Sequence, residues 1–317
     1  MEQLSKEIKE KVRKLFEEEK VDLVIGYEKG TLPFRSTPCF VKNAEDAEKL
    51  VWNSCCENNL AAYIPGMKGK IGIIAKGCDS RSLVGHIKEK QIERENLIII
   101  GVPCHGMLDR KSVDKIIAGR EITDIEEKPD GIVFKGENFE ETVTKNELLP
   151  DNCISCSHRN PVLYDILIGE NVEENKDTDE FGKIKEYEAK TSDERWDYFS
   201  QQIGKCIRCY ACRNACPLCY CKECCVDSSQ PQWFGKSIAL SDAQVFHIMR
   251  AFHVAGRCVD CGACVRACPM EIDLRFLNKK VEKDVRELFN FEAGINLDEP
   301  PPLSVFRPDD PDGFIKG

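Results

Sequence analysis

The run Cys206-x2-Cys209-x2-Cys212-x3-Cys216-Pro217 recurs as Cys258-x2-Cys261-x2-Cys264-x3-Cys268-Pro269, and no other feature constrains this chain so tightly. Three thiolates spaced in this way wrap three corners of an iron–sulfur cube from one loop, while the fourth cysteine serves the other cluster. The pattern assigns Cys206, Cys209, Cys212 and Cys268 to one [4Fe-4S] cluster and Cys258, Cys261, Cys264 and Cys216 to a second. Structural zinc is the alternative for any four cysteines. Two complete runs, each closed by Cys-Pro, favour cubanes.

The chain has 317 residues and 19 cysteines, twelve of them between residues 206 and 268. Disulfide-dense scaffolds are short and secreted, whereas a chain of this length buries a core without covalent staples. No stretch reaches the roughly 20 apolar residues of a membrane span. The N-terminus Met-Glu-Gln-Leu-Ser-Lys-Glu lacks a signal pattern, so a cytoplasmic location is expected, where clustered thiols bind metal or carry redox chemistry. A net charge of -10 argues against nucleic-acid partners, whose affinity comes from neutralised phosphates.

Apolar spacing sets out an α/β layer in the first half. Leu4, Ile8, Val12, Leu15 and Phe16 share a helix face, and a strand follows over 21–26. Asn43 is placed to cap a helix carrying Ala47, Leu50 and Val51. Residues 70–75 and 96–100 read as buried strands, with a helix over 81–91 between them. Each strand stops at a glycine just before a cysteine, so Cys78 and Cys104 are expected together in the loops beyond the strand ends. Residues 121–148 read as a β excursion turning at 128–131.

Residues 169–195 are rich in Glu, Lys and Asp. We read 1–170 as an α/β domain, 171–195 as a charged linker, and 196–317 as a mainly α-helical [4Fe-4S] dicluster domain with a C-terminal tail. Thr191 with Glu194 forms a capping box for a helix carrying Trp196, Phe199 and Ile203. Ser241 with Gln244 is expected to open another, with Val245, Ile248, Met249 and Phe252 on one face and Gly256 ending it.

The separation of the two runs resembles the α-helical ferredoxin arrangement of heterodisulfide reductase small subunits and succinate dehydrogenase iron–sulfur subunits, over roughly residues 196–290. Within the insert, Cys219, Cys221, Cys224 and Cys225 either bind a further centre or pack as small residues.

In the first half, Gly77-Cys78-Asp79, Pro103-Cys104-His105-Gly106, and Cys153-x2-Cys156 followed by Asp165-Ile-Leu-Ile-Gly169 resemble the beta subunits of coenzyme F420-reducing hydrogenases and F420-dependent formate dehydrogenases. The resemblance implies a third cubane on Cys78, Cys104, Cys153 and Cys156, beside FAD. The chain itself has no Gly-x-Gly-x-x-Gly run. Arg81 is a candidate contact for a cofactor phosphate at a helix N-terminus. Among the histidines, only His105 and His158 lie beside proposed cluster cysteines. Cys39, Cys55 and Cys56 are unassigned.

With no convincing nucleophile or paired catalytic carboxylates, an electron relay is expected, partnered by the other subunits of a redox complex. These are a formate dehydrogenase or hydrogenase catalytic subunit, and heterodisulfide-reductase-like or flavin-bearing subunits. The alternatives are a flavoenzyme that itself reduces or oxidises F420, and a zinc-stabilised interaction module.

Overall fold

The computed structural model describes residues 2–128, 131–174 and 178–310, which divide near residue 178 into two compact units. The first opens with helix α1 (Glu2–Glu17), which buries Ile8, Val12 and Leu15 at the spacing of one helix face. Strands β1 (Leu23–Lys29), β2 (Ser36–Val41) and β3 (Ile71–Ala75) follow, then α2 (Gly77–Lys88) and β4 (Leu97–Gly101). Next come α3 (Arg110–Ile117), strands β5 (Asp124–Lys128), β6 (Gly131–Gly136) and β7 (Phe139–Val143), short helices α4 (Lys145–Leu148) and α5 (Asp151–Ile154), and β8 (Ile166–Leu167).

The main sheet has the order β2-β1-β3-β4-β8; only the β1–β2 pair is antiparallel. Every residue of β3 is buried, because a parallel central strand is covered on both faces. Strands β5, β6 and β7 form a separate antiparallel sheet. Two residues of its expected turn, Pro129 and Asp130, lie outside the described residues.

Two expectations change here. The helix expected after Asn43 is only a 3-10 turn, Glu45–Lys49, although Asn43 Oδ1 does accept the Asp46 N–H. Helix α2 begins at Gly77, four residues before the expected start, so Cys78 lies in its first turn and not in a loop. Only glycine fits at 77: a Cβ there would stand 2.1 Å from the His158 carbonyl oxygen. The carboxylate of Asp79 anchors the turn by accepting the N–H groups of Lys76 and Leu60, at 2.9 and 2.8 Å.

His86 of α2 is fully buried, and desolvation pushes its pKa down to about 4 against an opposing hydrogen bond with the Ala61 backbone. The folded unit therefore holds a neutral imidazole where the unfolded chain takes a proton near pH 6.5. This contribution is complete above that pH and is lost as pH falls towards 4, up to about 3 kcal/mol. Urea denaturation at pH 7 and 4.5 should show that difference shrinking in His86→Leu.

The second unit carries α6 (Gly182–Glu188), α7 (Ser192–Ile203), α8 (Ala211–Asn214), α9 (Leu240–His253), α10 (Ala263–Arg266) and α11 (Arg275–Phe289), joined by long irregular segments. No strand occurs among its described residues. The segment read as a linker contains α6, whose Ile184 is buried and whose Tyr187 packs on Tyr198 and Phe276. High surface charge there conceals three apolar anchors, because Phe181 also joins this core. The Thr191–Glu194 capping box is present on α7, but Trp196 points outward. No helix is long and apolar enough to cross a membrane among the described residues.

Helix α9 differs most from its sequence pattern. Its N-cap is Ala239, and Gln244 bonds Ser200 Oγ instead of closing a box with Ser241. Val245 and Phe252 are exposed, while Gln244, His247 and Arg250 are buried with Ala243, Phe246 and Ala251. The inward face is partly polar because it meets thiols.

Candidate metal centres

The two cysteine runs adopt the same backbone. Arg208 and Tyr210 in the first, and Asp260 and Gly262 in the second, all have positive φ, between 52° and 71°. Each pair lies two and four residues beyond the first cysteine of its run, and a one-turn helix follows, α8 or α10. Such a left-handed step turns backbone N–H groups towards the enclosed sulfurs. The Arg208 N–H points at Cys206 Sγ, 3.4 Å away. The Asp260 and Ala263 N–H groups play the same part at Cys258 and Cys261.

The side chain inside each loop ties it to a helix. Arg208 donates to the Asp242 and Gly235 carbonyls at 2.7 and 3.1 Å, fixing the first run on the start of α9. Asp260 receives a bidentate pair from Arg275, at 2.8 and 2.7 Å, and an ammonium from Lys279, fixing the second run on α11. Burial of Asp260 pushes its carboxyl up, but these cations together outweigh it and hold the carboxyl below its ordinary range.

Thiols are grouped accordingly. Burial raises the Cys206 pKa, opposed by Arg208 and reinforced by the neighbouring Cys268 and Cys209. Burial pushes Cys212 up to about 11, opposed by Arg250, with Cys264, Cys206 and Cys268 adding to the rise. Cys216, Cys258, Cys261 and Cys264 line one cavity, which Arg250 and Asn278 also reach. Desolvation raises the last three thiols, Cys261 to about 12. A bound metal would reverse that tendency, since ligating thiols are deprotonated. Among the described residues, no group of three or more His, Cys, Asp or Glu is arranged to hold a single metal ion.

Helices α9 and α11 add polar groups that the sequence reading did not single out. His247 Nε2 lies 3.3 Å from Cys206 Sγ, contrary to the expectation that only His105 and His158 neighbour proposed ligands. Asn278 Nδ2 donates to Cys264 Sγ at 3.6 Å. Arg250 donates to the Cys212 carbonyl at 3.1 Å and acts electrostatically on Cys264, Cys216, Cys219 and Cys212. The available signal was Gln244, His247 and Arg250 at successive i+3 positions, a polar stripe on a helix otherwise read as apolar.

In the first unit, Cys104 follows β4, and its N–H donates to the Arg159 carbonyl at 2.9 Å. Burial pushes its thiol up to about 12; Cys153 and Cys156 add to the rise, and Lys76 and the Gly106 N–H oppose it. Those three cysteines are thus neighbours, and Cys78 is linked to them through Lys76, on which its charge also acts. The Lys76 ammonium is buried. It donates to Tyr27 Oη and, at 2.9 Å, to the Asn58 carbonyl, and pairs with Asp79 at 2.9 Å. Burial opposes the charge, but Asp79, Tyr27 and Cys78 hold it well above the ordinary lysine range. Arg81, expected at the helix N-terminus, lies beyond the first turn of α2 and is buried.

Cys39 on β2, with Cys55 and Cys56, is buried, and desolvation pushes these thiols up to about 11, 12 and 11. Cys39 and Cys56 pack in the main-sheet core, and Cys55 packs beneath the β5–β7 sheet.

Compared with models of known protein families, the chain matches none. It is 23% identical to the F420-dependent formate dehydrogenase subunit beta of Methanocaldococcus jannaschii, over 92% of each chain. It is 24% identical to the F420-dependent formate dehydrogenase 1 subunit beta of Methanococcus maripaludis, over 89% of each. Among solved structures, it is similar to a chain of the F420-reducing NiFe hydrogenase complex from Methanosarcina barkeri. There the TM-score is 0.38 and the identity 16%, over 49% of this chain and 58% of that one. Along about nine tenths of its length, through both cysteine-bearing units, the chain is a relative of the F420-dependent formate dehydrogenase beta subunits.

Proposed function

We propose that this chain is an iron–sulfur electron-transfer subunit of a multi-subunit oxidoreductase, of the formate dehydrogenase or hydrogenase beta type. The observation that carries the reading is the doubled loop: two identical cysteine spacings with matching positive-φ positions, each tied to its own helix. In this reading 196–317 is a dicluster ferredoxin-like domain joined through 171–195 to an α/β domain, 1–170. Cys206, Cys209, Cys212 and Cys268 hold one [4Fe-4S] cluster, and Cys216, Cys258, Cys261 and Cys264 the other. Cys78, Cys104, Cys153 and Cys156 hold a third. When bound, such clusters supply one-electron transfer.

The surrounding residues would set how readily those electrons move. Hydrogen bonds to the sulfurs, local charge and burial are what tune a cluster potential. His247 and Asn278 supply contacts to sulfurs, and Arg250 supplies a buried positive charge between the two sets of cysteines. Replacing Arg250 by leucine removes a cation that favours the more negative, reduced state. The midpoint potentials of the two clusters should fall by roughly 50–100 mV. An EPR-monitored redox titration checks this, and Arg250→Lys should recover part of the shift.

The relatives' names, which describe F420-dependent enzymes, favour a second reading in which the chain itself binds FAD and exchanges electrons with F420. Flavin analysis of the chain purified from native cells, with assay of F420 turnover, separates the readings. The relay predicts clusters without flavin and no turnover by the isolated chain; bound FAD with turnover supports the flavoenzyme. Subunits travelling with the chain in the same purification identify its redox partners and its cytoplasmic complex.

A further inference from the structure

The two runs leave four thiols of the second unit unused. Cys219, Cys221, Cys224 and Cys225 all line one cavity of about 180 Å³, formed by the end of α8, the insert after Cys216 and the α9 residues Phe246, Met249, Arg250 and His253. It is roomier than the space of about 30 Å³ between Cys216, Cys258, Cys261 and Cys264.

Its charge is independent of its thiols. Arg213, Lys222, Arg250 and Arg257 line the wall, against one carboxylate, Asp227. That carboxylate pairs with Arg213 at 2.6 Å, and Arg213 also hydrogen-bonds the Cys224 sulfur. In a chain of net charge -10, this concentration of cations favours an anionic occupant. Thiolates select soft metals and iron–sulfur clusters. A lone zinc ion draws its four sulfurs to about 2.3 Å around one point. Four thiols around a space this large suit a cluster with a body of its own.

We propose that this cavity binds a further iron–sulfur cluster, held by Cys219, Cys221, Cys224 and Cys225. The proposal rests on the electron-transfer reading and extends it. Cys219 hydrogen-bonds Cys216, a member of the second set, so the new centre adjoins that cluster. Cys221 is exposed, placing the centre at the surface of the unit. One electron passes from the reduced neighbouring cubane to the oxidised centre, with no bond made or broken. The centre is thus an exit or entry point for a redox partner.

The test compares the full chain with the quadruple variant Cys219→Ala/Cys221→Ala/Cys224→Ala/Cys225→Ala and the milder Cys221→Ala/Cys224→Ala. Each is reconstituted anaerobically with iron and sulfide, then assayed for iron, zinc and integrated EPR spins. A loss of about four iron and one spin in the milder variant, with the other clusters retained, is the expected result. Unchanged iron and spins overturn the proposal, whether the thiols then prove to be a disulfide or to hold zinc. If the quadruple variant loses everything, the milder one decides; a loss there of more than one cluster also overturns the proposal. A full chain without iron overturns the electron-transfer reading itself, a different outcome from either.

Discussion

Cys264→Ala should strip about four iron from each chain, remove one cubane signal and abolish electron transfer through the second unit. The sulfur of Cys264 lines the same cavity as Cys216, Cys258 and Cys261, and Asn278 Nδ2 is aimed at it. Alanine keeps the short α10 helix but offers no ligand. A metal site assembled by folding contributes its binding energy to stability, so thermal unfolding of the second unit should begin markedly earlier. Iron analysis, EPR and calorimetry on one preparation check all three effects. Unchanged iron and spin count in a folded Cys264→Ala protein would remove Cys264 from the ligand set.

The second large effect is expected in the first unit. Lys76→Met should destabilise it by about 3–5 kcal/mol, the cost of leaving a buried charge without its partner. Asp79 is fully buried, with only the Lys76 and Leu60 N–H groups remaining to satisfy it, and Tyr27 and Asn58 lose their common donor. Asp79→Asn added to Lys76→Met should recover part of the loss, since the isolated carboxylate is then gone. Urea unfolding of the four proteins checks the cycle; a cost below about 1 kcal/mol for Lys76→Met would show the pair to be solvated.

Much of the frame was legible because it follows from apolar periodicity. Strands β3 and β4 are nearly continuous isoleucine runs, and α1 shows its buried face in Ile8, Val12 and Leu15. Capping chemistry correctly placed the start of α7 at Thr191. Apolar periodicity misleads where a face is buried against something other than hydrocarbon. In α9, His247 and Arg250 turn inward to the thiols while Val245 and Phe252 are left outside and Ile248 packs on the core, so apolar spacing alone does not mark the buried face.

The early start of α2 was hidden for another reason. Gly77 is there for close approach of the His158 carbonyl, a long-range contact with no local signature, and a glycine after a strand resembles a turn. Lys76 was equally obscure. A lysine at a strand end is ordinarily a solvated charge, and its partners Tyr27, Asn58 and Asp79 come together only in the folded sheet. Helix α6 is hidden within 171–195 because Phe181, Ile184 and Tyr187 are too few to register in composition yet sufficient to anchor it.

The central claim is tested most directly by EPR of the anaerobically reconstituted, fully reduced chain with its metal content measured on the same sample. At least about eight iron per chain are expected, rising to about twelve with the cluster on Cys78, Cys104, Cys153 and Cys156, together with interacting cubane signals of two or more spins. An iron-free chain carrying stoichiometric zinc, with no reducible signal, would contradict the claim.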